Sequence, residues 1–166
     1  MAANKSKSNK QSNGREQRLR LNKFVLYLDE NFCSCQQIIQ LLDRTNVKYK
    51  RHEDKFRKGV ADAEFLPSVG MNGWTLLTSD QRMGRRFLER DAIRQHRVRM
   101  FAFTSNNLGG FGMARALETA LPKMRRFVQS NEPPFIASIT SSGSLVMKVN
   151  STELLRRSSR GQYAAS

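Results

Sequence analysis

The sequence is poor in the residues that support nucleophilic catalysis and zinc binding. It has two histidines, His52 and His96, and two cysteines, Cys33 and Cys35. Both histidines lie in strongly polar stretches, so we expect them at the surface rather than beside a nucleophile. The C-x-C spacing is too short for an easy disulfide, and no second pair of cysteines exists to complete a zinc site. We therefore expect two reduced thiols packed at the start of a helix.

Long apolar segments and glycine-rich nucleotide-binding motifs are also absent. No stretch approaches the length of a membrane span, and the first twenty residues contain no apolar core of a secretory signal. Neither GxxxxGK[ST] nor GxGxxG occurs, so a nucleotide-binding loop is not supported. These absences predict a soluble, cytoplasmic protein with no membrane partner.

Acidic residues are scarce relative to basic ones. Asp and Glu total 14 against 29 Lys and Arg, which gives a formal net charge of +15. This surplus favours polyanionic partners, with nucleic acid ahead of an anionic membrane surface. A basic arm at residues 1–22, expected to be disordered, holds part of the surplus, but the rest of the chain is basic as well. We expect one domain over residues 23–149 and a flexible tail over residues 150–166, with a short helical turn at Thr152–Arg157.

Strand and helix patterns alternate within the predicted domain. Apolar runs predict strands at Phe24–Leu28, Val47–Arg51, Trp74–Leu77 and Val98–Thr104, followed by a hairpin of "FIASIT" and "LVMKV". Helical periodicity is found at Ser34–Arg44, from Asp62 to Gly70, at Gln81–His96 and at Phe111–Val128. The pattern predicts an α/β fold, with a mainly parallel sheet, helices on both faces and a C-terminal hairpin at one edge.

Two of the apolar strands end directly in acids. The stretch "FVLYLDEN" places Asp29 and Glu30 after the first strand, and "TLLTSD" places Asp80 after a later one. Ligands of such sheets bind at the carboxyl ends of the strands, where these acids would repel one another. Mg²⁺ or Mn²⁺ would relieve that repulsion, since both prefer oxygen ligands. An Asp after a strand is also a frequent helix N-cap, so both interpretations stay open.

Further acids have the same two interpretations. Asp62 and Glu64 begin a short helix, as metal ligands or as an N-cap with a first-turn acid. Glu89 lies on the helix after Asp80 and could reach back towards the strand ends. Its spacing alone favours a solvated acid among arginines, and Asp91 is a competing choice.

Three arginines, Arg82, Arg85 and Arg86, follow Asp80 closely. Their guanidinium groups can bind phosphate through two parallel hydrogen bonds. A solvated basic face is the alternative.

Phosphotransfer folds fit the acids less well. A haloacid-dehalogenase-type phosphatase requires DxD after its first strand, and "DEN" does not provide it. A response-regulator receiver fits the acid pair loosely, but a charge of +15 would be unusual for that class.

The motifs together resemble the PIN-like ribonuclease family, in particular its branch of VapC-type toxins. The resemblance covers about Lys23 to Val149. Its motifs are "FVLYLDEN", "DAEFLPSVGMNGWTLLTSDQRM", "LERDAI", "FTSNNLGG", "ALPKMRRF" and "PPFIASI". The resemblance implies a three-layer α/β/α sandwich with an acidic cluster that holds Mg²⁺ or Mn²⁺.

The resemblance also implies roles for individual residues. The catalytic and metal-binding set would be Asp29, Asp62, Asp80 and Glu89. Supporting residues would be Asn31 and Asn106, with Glu30 and Glu64 as further candidates. Two positions depart from the pattern. Glu30 stands where many members have a basic residue, and Gln81 stands where the branch often has Lys.

The function implied is a metal-dependent endoribonuclease, the toxin of a toxin–antitoxin pair, whose products have 5′-phosphate and 3′-hydroxyl ends. RNA, held by Arg82, Arg85 and Arg86, and an antitoxin protein are the expected partners, and a homodimer is a further candidate. The departures at Glu30 and Gln81 motivate an alternative, a non-catalytic module of the same fold that binds nucleic acid.

Overall fold

The computed structural model describes residues 24–105 and 107–156, which form six strands and five α-helices. The strands are β1 (Val25–Leu28), β2 (Lys48–Arg51), β3 (Thr75–Thr78), β4 (Arg99–Phe103), β5 (Phe135–Ile139) and β6 (Leu145–Val149). The helices are α1 (Gln36–Arg44), α2 (Asp62–Met71), α3 (Phe87–Gln95), α4 (Gly109–Ser130) and α5 (Ser151–Arg156). Short 3₁₀ helices lie at Glu30–Phe32 and His52–Asp54.

All six strands form one sheet in the order β2-β1-β3-β4-β5-β6. The first five are parallel to one another, and β6 pairs antiparallel with β5. The predicted mixed α/β fold, with a mainly parallel sheet and a C-terminal hairpin at one edge, is confirmed. Because β1, β3 and β4 are adjacent and parallel, their carboxyl ends lie along the same edge of the sheet.

Helices cover both faces of the sheet, and alternate side chains of each strand enter opposite cores. Leu26 and Leu28 of β1 pack in the core beneath α1 and α4. Tyr27 between them packs in the other core, with side chains of α2, α3 and α5. The inner strands β1, β3, β4 and β5 are buried on both faces, which explains their continuous apolar runs, whereas the edge strands β2 and β6 are partly exposed.

The helix after Asp80 begins later than its apolar periodicity predicted. It starts at Phe87, not Gln81, because residues 81–85 form turns. Gly84 within these turns has φ +82°, which an α-helix cannot accommodate, and Arg86 is extended. Eight residues, 79–86, therefore separate the end of β3 from α3, so basic side chains are presented by a loop rather than by a helix face.

His52, expected at the surface, is buried with 2% exposure. The 3₁₀ helix after edge strand β2 folds the imidazole onto the rings of Phe56 and Phe65. Its Nδ1 lies 3.0 Å from the Tyr27 hydroxyl. Burial raises the pKa of Tyr27 well above its usual range, so this hydroxyl keeps its proton. His96, at the C-cap of α3, is only partly buried.

The two cysteines are free thiols, as expected. Cys33 is buried and Cys35 is the N-cap residue of α1. The predicted arm at residues 1–22 and the last part of the predicted tail, residues 157–166, lie outside the described residues. In the described part of the tail, α5 buries Leu154 against the sheet. No helix among residues 24–105 and 107–156 combines the length and apolar character needed to cross a membrane.

Removing the Tyr27 hydroxyl tests the buried contact with His52. We expect Tyr27→Phe to lower the free energy of unfolding by about 1–2 kcal/mol, because Nδ1 loses its partner in either tautomer. Tyr49→Phe is the matched control. Its hydroxyl bonds to Asp43 at the surface, so the expected loss is below about 0.5 kcal/mol. Urea unfolding measures both, and equal losses would contradict a special role for the buried pair.

Candidate active site

The carboxyl ends of β1 and β3 are joined by the hydroxyl of Thr78. These strands are parallel neighbours with Leu28 opposite Leu77, so Asp29 follows one strand beside Thr78 of the other. The Thr78 hydroxyl donates a hydrogen bond to the Asp29 carboxylate. Its oxygen accepts the backbone N–H of Asp80 at 3.0 Å. The prediction that the two acid-ended strands lie side by side is therefore confirmed.

Asp29 and Asp80 are also caps. Asp29 Oδ1 accepts the N–H of Asn31 at 3.0 Å and caps the 3₁₀ helix Glu30–Phe32. Asp80 Oδ1 accepts the N–H of Arg82 at 2.8 Å and begins the turn that precedes α3. The capping interpretation is thus observed for both acids, and it does not prevent either carboxylate from facing a neighbouring acid.

Asp29 is the most deeply buried acid of the site, with 4% exposure. Burial raises its pKa from 3.8 to about 6. The hydrogen bonds from Thr78 and Asn31 favour the charged form and oppose this shift, whereas the nearby charge of Asp80 adds to it. The hydrogen bonds therefore offset only part of the free-energy cost of burying the charged carboxylate.

Asp62, the first residue of α2, lies among three other acids. Its pKa is raised from 3.8 to about 6, first by burial and then by the charge of Glu89 and a hydrogen bond between the two carboxyl groups. The charges of Asp80 and Asp29 add to the shift. The structure thus brings together the four acids that the resemblance implied.

Glu89, which spacing alone favoured as a solvated acid, is buried with 6% exposure. Its Oε2 accepts the N–H of Gly84 at 3.0 Å, and its Oε1 lies 3.3 Å from Nη1 of Arg86. Asp91, the competing acid, lies further along α3 and pairs with Arg94 at 2.7 Å. Glu89 is therefore the acid of α3 that joins the cluster, because the preceding turn folds over it.

Thr78 and Gly84 were missed by sequence reasoning. Thr78 could have been recognised as a polar residue at the end of an apolar strand, two positions before an acid. Gly84 could have been recognised as an isolated glycine within an apparent helical pattern. A Cβ added to Gly84 would lie 2.8 Å from Cδ1 of Ile136 and 3.1 Å from Cδ1 of Ile93. The positive φ of Gly84 therefore favours glycine, and a side chain there would also require the terminal methyl group of Ile136 to shift.

The supporting acids lie at the margin of the cluster. Glu30 Oε2 accepts the N–H of Gly59 at 2.9 Å and so holds the loop that leads into α2. Glu64 is exposed on the first turn of α2. Asn31 is exposed and contributes its backbone N–H to Asp29. Asn106 lies outside the described residues.

Basic side chains surround the turn after Asp80. Arg82, Arg85 and Arg86 are all exposed. Gln81, which departs from the family pattern, donates from Nε2 to the carbonyl of Thr104 at 2.7 Å and so ties the ends of β3 and β4 together. A cavity of about 400 Å³ adjoins this turn, and its lining includes Gln81, Gly84, Arg85 and Lys148. A cavity whose charged lining residues, Arg85, Arg90 and Lys148, are all basic therefore begins one residue beyond Asp80.

The cluster fits Mg²⁺ or Mn²⁺ in donor chemistry and charge. The four candidate ligands offer carboxylate oxygens, which these cations prefer. Burial raises the pKa of Asp29 and of Asp62, and the charges of neighbouring acids add to both shifts. As the side chains stand, no three or more His, Cys, Asp or Glu residues within the described ranges are arranged to hold a metal ion. The four acids therefore match these cations in ligand type, but the described side chains do not form a metal-binding geometry.

Comparison with known proteins gives one match. Residues 24–105 match the family model described as "PIN like domain". The matched segment is slightly less than half of the chain and contains Asp29, Asp62, Asp80 and Glu89. Neither the curated proteins nor the solved structures gave a match. The observed sheet, with helices on both faces, is consistent with a PIN-like α/β/α sandwich, and neither finding distinguishes the VapC-type branch.

Neutralising Asp29 should stabilise the protein at neutral pH. The folded-state pKa of about 6 lies above the usual 3.8, so the stabilising protonated form is lost as pH rises through 6. We expect Asp29→Asn to raise the free energy of unfolding by about 1–3 kcal/mol at pH 7.5, and to have little effect near pH 3.5. Urea unfolding with chelator present measures this. Asp43→Asn, at an exposed position on α1, is the control, and a gain of equal size there would contradict the assignment.

Gly84 should tolerate substitution less well than another glycine with positive φ. Gly73 has φ +66°, and a Cβ there would meet nothing within 4 Å. We expect Gly73→Ala to cost about 1 kcal/mol through backbone strain alone, and Gly84→Ala to cost about 2–4 kcal/mol because side-chain overlap adds to the strain. Thermal and urea unfolding of the two variants compare the losses. Equal losses would show that Ile136 and Ile93 move aside easily.

Proposed function

We propose that the chain is a metal-dependent endoribonuclease whose active site is the cluster of Asp29, Asp62, Asp80 and Glu89. The observation that supports this most strongly is the raised pKa of Asp62, to which three other acids contribute. Acids are in the minority in a chain of net charge +15, so their concentration at one edge of the sheet is not a consequence of composition. Strongly perturbed carboxylates at such an edge are typical of functional sites.

Four carboxylates would hold the cation, with Asp29 as the most fixed of them. Bound Mg²⁺ or Mn²⁺ would supply charge neutralisation at the phosphodiester and a water of lowered pKa. The protein's own contribution is orientation. Thr78 and Asn31 hold both oxygens of Asp29, and Gly84 holds one oxygen of Glu89. Arg86 offsets part of the charge of Glu89 from the solvent side.

The RNA strand would approach along the basic turn after Asp80. Arg82, Arg85 and Arg86 are exposed there, and the adjoining cavity adds Lys148. Guanidinium groups are suited to phosphate oxygens, and such contacts would make the affinity fall steeply with salt. These contacts would recognise the RNA backbone and not a base sequence.

A role as the toxin of a toxin–antitoxin pair is supported by the motif resemblance to VapC-type toxins. In that role the chain would require an antitoxin protein, and one that covers the acidic cluster would prevent cleavage directly. A homodimer is compatible with the same proposal.

A non-catalytic RNA-binding module is the second candidate. Two observations favour it: Asp29 and Asp80 both serve as caps, and the described acids do not stand in a metal-binding arrangement. Metal binding and chelator-sensitive cleavage separate the two candidates.

Cleavage of a labelled RNA pool should require both the metal and the cluster. We expect activity with Mg²⁺ or Mn²⁺, none with chelator, and losses of more than about 100-fold for Asp80→Asn and Asp29→Asn. The Asp43→Asn variant, which changes an acid far from the cluster, should retain full activity. Metal should also raise the unfolding temperature of the native chain but not of Asp29→Asn, which provides a readout independent of activity.

Two results would contradict the proposal. Cleavage that is indifferent to chelator, or that survives both substitutions, would exclude a metal nuclease at this site. RNA binding with no metal-induced rise in unfolding temperature and no cleavage would favour the non-catalytic module.

A further inference from the structure

A second charged feature lies at the amino edge of the sheet, opposite the acidic cluster. It is a cleft of about 740 Å³ between the starts of β1 to β4 and the end of α4. Four basic side chains line it, Lys48, Arg97, Arg99 and Arg125, and Glu132 is the one acid among its described lining residues. The strands between cleft and cluster are short, so the two sites lie about 10–15 Å apart across the sheet.

Two of these arginines are partly buried although some of their N–H donors lack hydrogen-bond partners among the described residues. Nε of Arg99 and Nε of Arg125 are buried and have no hydrogen-bond partner among the described residues. Arg99 makes one long hydrogen bond, from Nη1 to the carbonyl of Gly73 at 3.4 Å. Arg125 lies over the ring of Phe24 with its guanidinium carbon 5.8 Å from the ring centre. Burial of a charged group with unused donors costs free energy, which a bound anion would recover.

Arg97 adds a conformational observation. It has φ +53°, a left-handed conformation that glycine or asparagine usually occupies at the end of a helix. Its ion pair with Glu132 is loose, at 3.8 Å, and Glu132 is 84% exposed. Such a pair contributes little to stability, so it does not explain an arginine at a strained position.

The neighbouring helix ends offer one structural explanation for these arginines. Helices α2 and α4 end beside the cleft, and cations there would offset the negative ends of their dipoles. That role requires only the positive charge, so it leaves the buried Nε–H groups of Arg99 and Arg125 without hydrogen-bond partners among the described residues. The arginines therefore have binding capacity that the fold does not use.

We propose that this cleft binds the phosphodiester backbone of a nucleic-acid strand. The Nε–H and Nη–H groups of an arginine match two phosphate oxygens, and neutral donors from Asn72, Gln129 and Asn131 line the same cleft. Its volume is far larger than a single phosphate ion requires, which favours a chain of phosphates. The cleft would hold a segment of the strand away from the acidic cluster, and its role does not depend on whether that cluster is catalytic.

Binding of a labelled single-stranded RNA to the full chain, with chelator present, tests the proposal. We expect Arg99→Gln with Arg125→Gln to weaken binding at least about 10-fold at 0.15 M salt. The slope of log affinity against log salt should fall by about 1.4, as expected for two lost phosphate contacts. The matched control is Arg115→Gln with Arg126→Gln, which removes two exposed arginines of α4 that do not line the cleft. It should weaken binding less than about 3-fold and leave the slope nearly unchanged.

Two further variants keep the test decisive if the double substitution impairs folding. Arg125→Gln alone and Lys48→Gln, on the exposed start of β2, should each reduce the slope by about 0.7. Equal effects of the cleft and control pairs would overturn the proposal. So would a lower unfolding temperature with RNA affinity unchanged, which would assign the arginines to the helix ends.

Competition identifies the anion. We expect unlabelled single-stranded RNA to displace the labelled strand far better than tripolyphosphate or polyglutamate at equal charge. Effective displacement by tripolyphosphate would indicate a free phosphate ligand, and displacement by polyglutamate would indicate an acidic protein partner. Either result would overturn the assignment to a nucleic-acid backbone. Because only binding is measured, failure here leaves the nuclease proposal unaffected.

Discussion

The acidic site depends on one hydroxyl group, that of Thr78, placed between the carboxyl ends of two parallel strands. It donates to the buried carboxylate of Asp29 and accepts the backbone N–H of Asp80. This contact requires β1 and β3 to be neighbours in the observed register, and the register is set by alternate burial of side chains such as Tyr27 and Leu28 in the two cores. The core packing therefore determines the positions of Asp29 and Asp80.

The cost of this arrangement is electrostatic. Asp29 and Asp62 are held where their charged forms are disfavoured, while basic residues occupy the surrounding turn and the opposite edge of the sheet. In this chain of net charge +15, the buried acids lie together and the basic residues lie elsewhere. Opposite charges are therefore separated in space rather than paired. Such separation lowers folding stability and leaves one acidic region and separate basic regions on the protein.

Acids that follow strands in this protein both cap the next turn and lie close to one another. Asp29 and Asp80 accept hydrogen bonds from backbone N–H groups of the turns that follow them. These turns position the neighbouring acids. Glu30, whose charge in "FVLYLDEN" departs from the family pattern, holds the loop before α2 through Gly59. Glu30 therefore supports the site indirectly, since that loop leads directly to Asp62.

Local patterns in the sequence predict much of the fold but only part of the candidate site. The apolar runs and helical periodicities identified the strands, most helices and the hairpin, because these patterns reflect which faces are buried. They also identified Asp29, Asp80 and Asp62 as candidates, since an acid at the end of an apolar strand or the start of a helix is visible in the chain itself. The family resemblance was needed for Glu89, whose spacing favoured solvent.

Only the tertiary structure placed Glu89, His52 and Gly84. Each depends on contacts with other parts of the chain. The Gly84 N–H donates to Glu89 in a turn that Ile136 and Ile93 approach closely, and His52 packs against Tyr27 and Phe65. Burial of a polar residue depends on the neighbours that satisfy it, and local periodicity contains no information about them. The sequence by itself determined which residues could meet at the sheet edge. The fold decided which of them do, because a carboxylate is buried only where another part of the chain supplies its hydrogen bonds.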